Sequence, residues 1–411
     1  MDWTGFLYLR VIGAFVPSLG RRTVVGLTSR HRRILFRAGL LFSMYSFLVF
    51  GTAGCWSSRE LNESALVAGA GFDRRDGKYQ LTIQILQPGK LTPSTRGQSE
   101  RAVYVSQDTG NTIFEAIRTF PHQTTRKLYW SHCQVFIVGR EIAEESVTKT
   151  LNWFYRNQEL RPLSYVAMSE GEASEILMTK THLNPIPAYD IASDIKTLSD
   201  TSQAPTVTLK DFMKMTANPI GTAYMPVLNK MRIVGTAVFL HDRLAGELNW
   251  DESRGLLSLN GLVNSGKILV PSSTTTRTEQ TEQQDFSTFE IIHENVTRRV
   301  KFVQSRPIVS YHIRCTVDLA DDPSLEQHST SDVKKLEQEA SERIKQQAEA
   351  CIQKVKGWHA DVIGAGEAIH RSRPREWQRL KDGWEQKFPS TSIEVTADVR
   401  VRHEGLIRGR M

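Results

Sequence analysis

Several stretches of this 411-residue sequence carry residue types that could do chemistry. Gly261-Leu-Val-Asn-Ser-Gly266-Lys267-Ile268 comes within one residue of the phosphate-binding loop GxxxxGK[ST]. Ile268 stands where a hydroxyl would hold Mg²⁺, and 268–271 read as a strand, so no helix N-terminus would face a phosphate. A turn between strands is the simpler expectation. His132-Cys133 could supply two metal ligands, yet no CxxC, HxxxH or HExxH completes a set of four. His312 falls on the polar face of a predicted strand. Gly364-Ala365-Gly366 lacks the third glycine of a dinucleotide fingerprint and follows no strand. No GxSxG elbow is present, and no Asp/Glu pair is marked out as acid and base. Trp358, Trp377 and Trp384 are close in sequence; a binding surface is conceivable, and core or interdomain packing is the default for rings of this size. The expectation is no catalytic residue, no metal and no dissociable cofactor.

Charge narrows the partner. The formal net charge is +7, but residues 1–54 hold seven arginines and one acid, which is +6, and 55–411 hold 45 bases and 44 acids, which is +1. The body therefore has no basic footprint for nucleic acid. In the N-terminal segment Arg30-His31-Arg32-Arg33 precedes an uncharged run of 16 residues, Ala38 to Ala53. That is shorter than the ~20 residues of a spanning helix. A basic region, a short apolar run, small residues and then Cys55 look like a lipoprotein signal, in which Cys55 takes a thioether-linked diacylglycerol and becomes the mature N-terminus. Thr52 stands where such signals usually carry Leu, and residues 1–29 are long for a leader. An uncleaved anchor, or a twin-arginine signal at Arg21-Arg22, are the alternatives; the main readings place everything after Cys55 outside the cell membrane. Cys133, Cys315 and Cys351 are too few for a disulfide scaffold. Cys315 and Cys351 fall on apolar faces, which suggests buried thiols.

Alternation and helical spacing supply the elements. Residues 79–86 alternate as a half-buried strand after an Asp76-Gly77 turn. A helix is predicted over 111–120 with an Asn or Thr cap, strands over 134–138 and 164–168, and a helical stripe through Ile142, Val147, Leu151, Phe154 and Tyr155. Residues 182–206 read as a loop or linker, 233–240 as a buried strand, 244–259 as turns and short strands, and 271–288 as a flexible loop. Residues 309–319 and 393–402 alternate strictly around a long amphipathic helix at 332–356. The fold class is mixed α/β (α+β). The expected division is a leader and signal at 1–54 and three consecutive α/β domains at 55–207, 208–285 and 286–411. The last is a sheet with a long helix packed on one face.

Three ordered stretches are more specific than any of this. One is Gly54-Cys55-Trp56-Ser57-Ser58-Arg59-Glu60-Leu61-Asn62, continuing through Val67-Ala-Gly-Ala-Gly-Phe-Asp73. The next is Gly235-Thr-Ala-Val-Phe239 with Leu244-Ala-Gly-Glu-Leu248 and Glu252-Ser-Arg-Gly-Leu256. The third is Asp361-Val-Ile-Gly364-Ala-Gly366-Glu367 with Pro374-Arg-Glu-Trp377, Trp384 and Phe388. Together they resemble the Ger(x)C family, the lipoprotein C subunits of spore germinant receptors, over nearly all of the chain from Cys55 onward. Ser57 departs from an acid frequent there in the family. The resemblance implies a non-catalytic, acylated (palmitate-bearing) protein, lipid-anchored through Cys55 on the outer face of the cell membrane, which is the inner membrane of the dormant spore. Its partners would be membrane lipid and the A and B membrane subunits of a receptor for nutrient small molecules. Trp56, Glu60 and Leu61 would lie in the family motif next to the membrane, and Gly364, Gly366, Trp377 and Trp384 would be structural. A solute-binding lipoprotein that captures the nutrient itself, and an exported enzyme, are the rival classes.

Overall fold

The computed structural model describes residues 29–52, 64–87, 102–124, 126–180, 184–220, 222–278, 281–322 and 330–403. The chain divides into two compact units, 1–60 and 61–411. In the first, α1 (Ser29–Thr52) takes up the apolar run, and its described side chains Phe36, Leu40, Leu41, Phe42, Met44 and Tyr45 are exposed. No helix among the described residues is long and apolar enough to cross a membrane. Cys55, Trp56, Glu60 and Leu61 lie outside the described residues.

The second unit opens with the hairpin β1 (Ser64–Arg75) and β2 (Lys78–Leu86), turned by Asp76 and Gly77, both at positive φ. Then come β3 (Val103–Gly110), α2 (Ile113–Thr124), β4 (Lys127–Tyr129), β5 (Val135–Val138), α3 (Arg140–Glu145) and α4 (Val147–Arg156). They are followed by β6 (Tyr165–Ser169), α5 (Ala173–Met178), α6 (Pro187–Thr201), α7 (Leu209–Thr216), β7 (Thr222–Asn229), β8 (Arg232–Leu240) and β9 (Arg243–Leu248). These strands form one nine-stranded sheet in the order β3-β2-β1-β5-β6-β7-β8-β9, with β4 beside β1. The centre, from β1 through β5 and β6 to β7, is parallel and the flanks are antiparallel. Helices cover both faces, as a parallel centre requires. Phe120, Ile142, Leu151, Phe154 and Phe212 pack on one face with Phe72 and Phe136. Ile176, Leu177, Ile191 and Ile195 pack on the other with Val135 and Ile137.

Covering both faces corrects the reading of β2. Its alternation is present, but Gln80, Thr82 and Gln84 are buried, not solvated. The Gln84 amide donates to the Leu177 carbonyl at 2.6 Å and accepts from the Ala188 N–H at 3.0 Å, so it joins the end of α5 to the start of α6. The helical stripe at 142–155 is two helices, broken where Ser146 adopts an extended conformation and caps α4. Asp73, buried at the end of β1, accepts from the N–H groups of Ala173 and Ser174 at 2.7 and 2.9 Å and so holds the start of α5. Burial pushes this carboxyl up to about 6. The folded state therefore binds a proton that the unfolded state holds only below about 4. Stability should rise as pH falls from about 6 to about 4, by about 3 kcal/mol, and be independent of this group above that window. Comparing the pH dependence of urea unfolding in wild type and Asp73→Asn isolates the effect; parallel curves would refute it.

The second sheet follows α8 (Trp250–Asn260). Its strands β10 (Lys267–Thr278), β11 (Thr281–Val303) and β12 (Arg306–Asp321) are antiparallel. After α9 (Thr330–Gly357), α10 (Ala365–Ser372), α11 (Pro374–Leu380) and α12 (Trp384–Lys387), β13 (Ser392–His403) returns parallel to β12. Helix α9 lays Ala340, Ile344, Ala348, Cys351 and Val355 on the sheet's inner face against Tyr311, Ile313 and Val399. The outer face is solvated and carries cross-strand pairs such as His312–Thr396 and Arg402–Asp318. Helix α9 also blunts the sheet edge: the N–H groups of Val399 and Val401 donate to Ser341 Oγ and Glu337 Oε1, each at 2.9 Å.

Three expectations, at 182–206, 244–259 and 271–288, are corrected, although the short strand expected within 244–259 is present as β9. Within 182–206, Pro187 opens α6, whose Ala188, Ile191, Ala192, Ile195 and Leu198 form a buried stripe inside a polar composition. Within 244–259, Asn249 and Glu252 form a capping box that starts α8. Residues 271–288 are mostly strand, in the β10–β11 hairpin. Within 208–285, β7–β9 continue the first sheet, while β10 pairs with β11 in the second, so the described residues form two sheets.

Candidate functional site

The phosphate-loop look-alike is a helix exit. Gly261, at φ +66°, caps the end of α8, and Lys267 begins a strand. His132 is exposed beside buried Cys133, and no group of three or more His, Cys, Asp or Glu residues could hold a metal among the described residues. Cys133, Cys315 and Cys351 are free and buried, and burial raises all three thiols well above their ordinary range.

Gly364, Gly366, Trp377 and Trp384 converge on one place. Asp361 is 4% exposed, and its carboxylate accepts from Ala365 N–H at 2.9 Å, Gly366 N–H at 2.6 Å and Trp384 Nε1 at 2.9 Å. Desolvation pushes its acidity toward the neutral form, and these three donors and the nearby Arg298 oppose that. Gly364, at φ +73°, turns the chain into α10. Gly366 is the point of closest approach: a Cβ there would lie 2.7 Å from Trp384 Nε1 and 2.9 Å from the Trp377 ring. The two indoles meet edge to face with centroids 5.3 Å apart, and Phe388 continues the stack. Trp358 lies elsewhere, against Gly246 of β9.

Three other elements bond to the backbone of 361–363, and a fourth bonds to the end of α8 beside it. Thr222 of β7 donates to the Asp361 carbonyl at 2.9 Å, Asn260 of α8 to Val362 at 2.9 Å and Tyr311 of β12 to Ile363 at 3.1 Å. Arg298 of β11 donates to the Leu259 carbonyl at 2.7 Å and Asn260 Oδ1 at 3.0 Å. The 361–366 turn is therefore where the first sheet, α8 and the second sheet are joined. A second buried tie lies beside it. Arg254 of α8 donates to Ser202 and Ser265 carbonyls at 2.8 and 3.3 Å. Burial lowers its basicity and the charge of Glu294 in β11 opposes that loss; burial pushes the Glu294 carboxyl toward its neutral form and the charge of Arg254 opposes that shift. Both groups are inside the core, where Arg254 Nη1 donates to backbone carbonyls and the opposite charges of Arg254 and Glu294 offset each other's burial. This arrangement suits a joint between layers and offers no acid, base or nucleophile to a substrate.

Sequence reading singles out Gly364, Gly366, Trp377 and Trp384 but not the contacts of Asp361, Arg298, Thr222 and Asn260. The available signal was an acid placed ahead of a Gly-x-Gly turn with tryptophans following; the contacts from β7 and α8 had none.

Comparison with known proteins accords with this architecture. A family model described as the spore germination protein N-terminal domain matches residues 57–230, and one described as spore germination B3/GerAC like, C-terminal, matches 234–405. The chain is 25% identical over 405 residues to spore germination protein KC of Bacillus subtilis (strain 168), covering 90% of this chain and 97% of that protein. It is 23% identical to spore germination protein B3 of the same organism, covering 89% of this chain and 98% of the relative. The crystal structure of the GerBC protein superposes with a TM-score of 0.51 at 17% identity, covering 81% of this chain and 97% of that one, and shows the same fold. The two matches, in order and together spanning most of the chain, establish that the chain belongs to the Ger(x)C family of spore germination proteins.

Proposed function

We propose that this chain is a lipid-anchored C subunit of a spore germinant receptor, with a non-catalytic assembly and signalling role on the outer face of the membrane. One observation carries the reading: Cys55 follows the apolar run directly, and the family match begins at residue 57. The folded unit thus starts a few residues from the proposed thioether, where a diacylglycerol would keep it at the bilayer and raise its effective concentration beside membrane-embedded A and B subunits. The hydrogen bonds that tie the 361–366 turn to β7, α8 and β12 support an assembly and signalling role rather than turnover.

The test is deletion of the gene in a spore former that carries it, with wild-type or Cys55→Ala copies returned. Nutrient-triggered dipicolinate release should be lost on deletion, restored by wild type and reduced at least tenfold by Cys55→Ala, and labelled palmitate should enter only the wild-type chain. Unaltered release with Cys55→Ala would sink the anchoring; saturable thermal stabilisation of the chain by a nutrient would point instead to direct capture of the solute.

A further inference from the structure

We propose that the α10–α11 turn is a docking surface for the anionic headgroups of a lipid bilayer. Residues 370–382 hold five cations (Arg371, Arg373, Arg375, Arg379, Lys381) and two acids (Glu376, Asp382), a net +3 in a body whose total is only +1 over 55–411. All five cations are exposed. Arg371 pairs with Glu367 four residues earlier; the other four have no ion pair among the described residues. The mount beneath them is rigid. Trp377 and Trp384 are buried on its inner side, Gly366 leaves no room for movement between them, and Lys387 Nζ ties the turn by donating to the carbonyls of Leu380 and Asp382 at 3.3 and 2.7 Å. The backbone that carries the cations is thus held before binding, so only their side chains lose freedom.

Charge complementarity selects the partner. Guanidinium groups match phosphate oxygens in pairs. A protein partner would call for an aromatic or aliphatic centre that can be desolvated, and no large apolar side chain is exposed within 370–390. A headgroup layer needs none, because each Lys or Arg at an anionic surface contributes about 1 kcal/mol by charge alone. The inference rests on the membrane placement proposed above, and it adds a second point of contact far along the chain from Cys55.

The experiment uses the full-length chain carrying Cys55→Ala, so that no acyl group contributes, mixed with vesicles of phosphatidylcholine alone or with phosphatidylglycerol. The readout is the ratio of anionic to neutral partition coefficients; the N-terminal arginines contribute equally to every variant. Arg373→Gln/Arg375→Gln/Arg379→Gln should lower that ratio on the order of a hundredfold, the corresponding triple Lys variant should keep most of it, and raised salt should suppress it. An unchanged ratio in the Gln variant overturns the proposal and leaves an acidic protein face as the partner to seek. Equal losses in the Lys and Gln variants also overturn it, since charge would not be the cause. Palmitate labelling of Cys55 tests the tether separately, so either idea can fail without the other.

Discussion

Asp361→Ala should destabilise the chain by about 4 kcal/mol, the cost of leaving several buried donors without an acceptor. The loss should show as a fall of about 10 °C in Tm, given the shallow conversion expected of a large domain. The removed carboxylate serves three donors at once, two at the head of α10 and one on Trp384, and none can reach water without the turn opening. Asp361→Asn keeps the shape but replaces one acceptor with a donor, so about half the effect is expected. Because the same turn receives bonds from β7, α8 and β12, the alanine variant should also separate two signals that coincide in wild type. The share of tryptophan fluorescence that comes from Trp377 and Trp384, two of eight tryptophans, should change at lower denaturant than far-ultraviolet circular dichroism. Coincident transitions with an unchanged midpoint would show that the turn is not a joint.

The parts of this fold that could be read from sequence are those whose pattern is local. β12 and β13 alternate over their whole lengths, and α9 carries its stripe over 28 residues, so no distant partner was needed to assign them. The misreadings share one cause, which is cover supplied from far away. Gln80, Thr82 and Gln84 alternate with apolar residues as a solvated face would, yet α5 and α6 arrive from about a hundred residues later and bury them. Helix α6 hides its stripe among Asp, Ser and Thr, and the Thr-rich β10 offers β-branched rather than apolar residues to a method that counts hydrophobicity.

The joint was half legible for the same reason. Gly364, Gly366, Trp377 and Trp384 lie within about twenty residues of one another and pack together locally. What makes them a joint is contact from Thr222, 139 residues away, from Asn260, 102 away, and from Tyr311, 52 away. A threonine, an asparagine and a tyrosine are ordinary residues in ordinary elements, and nothing in their own neighbourhoods marks the bonds they make. Arg254 shows the limit from the other side. A charged residue in a helix normally faces solvent, yet this one is buried because backbone carbonyls and Glu294 meet it.

Gly255→Ala should be strongly destabilising although it adds a single methyl. In an isolated helix the change would stabilise by about 1 kcal/mol, since alanine loses less backbone freedom. Here α8 crosses α9 with backbones nearly touching: the new Cβ would sit 2.1 Å from the Gln347 carbonyl oxygen and 2.9 Å from Ala348 Cα. Both are main-chain atoms inside a long helix, so no rotamer change can relieve the clash, and the two helices have to part. Parting them pulls Glu252 of α8 from Lys354, 2.8 Å away across the crossing, and loosens the packing of Leu256 and Leu257 against Ala348 and Cys351. A net loss of about 3 kcal/mol or more is expected, the opposite sign to intrinsic propensity. Gly357→Ala is the internal control: it lies at the end of α9, its Cβ would meet nothing within 4 Å, and it should be neutral or stabilising by less than about 1 kcal/mol. Denaturant midpoints of the two variants measured side by side decide the matter. If Gly255→Ala were tolerated as well as Gly357→Ala, the close crossing of α8 and α9, and with it the coupling of the second core to the joint, would have to be abandoned.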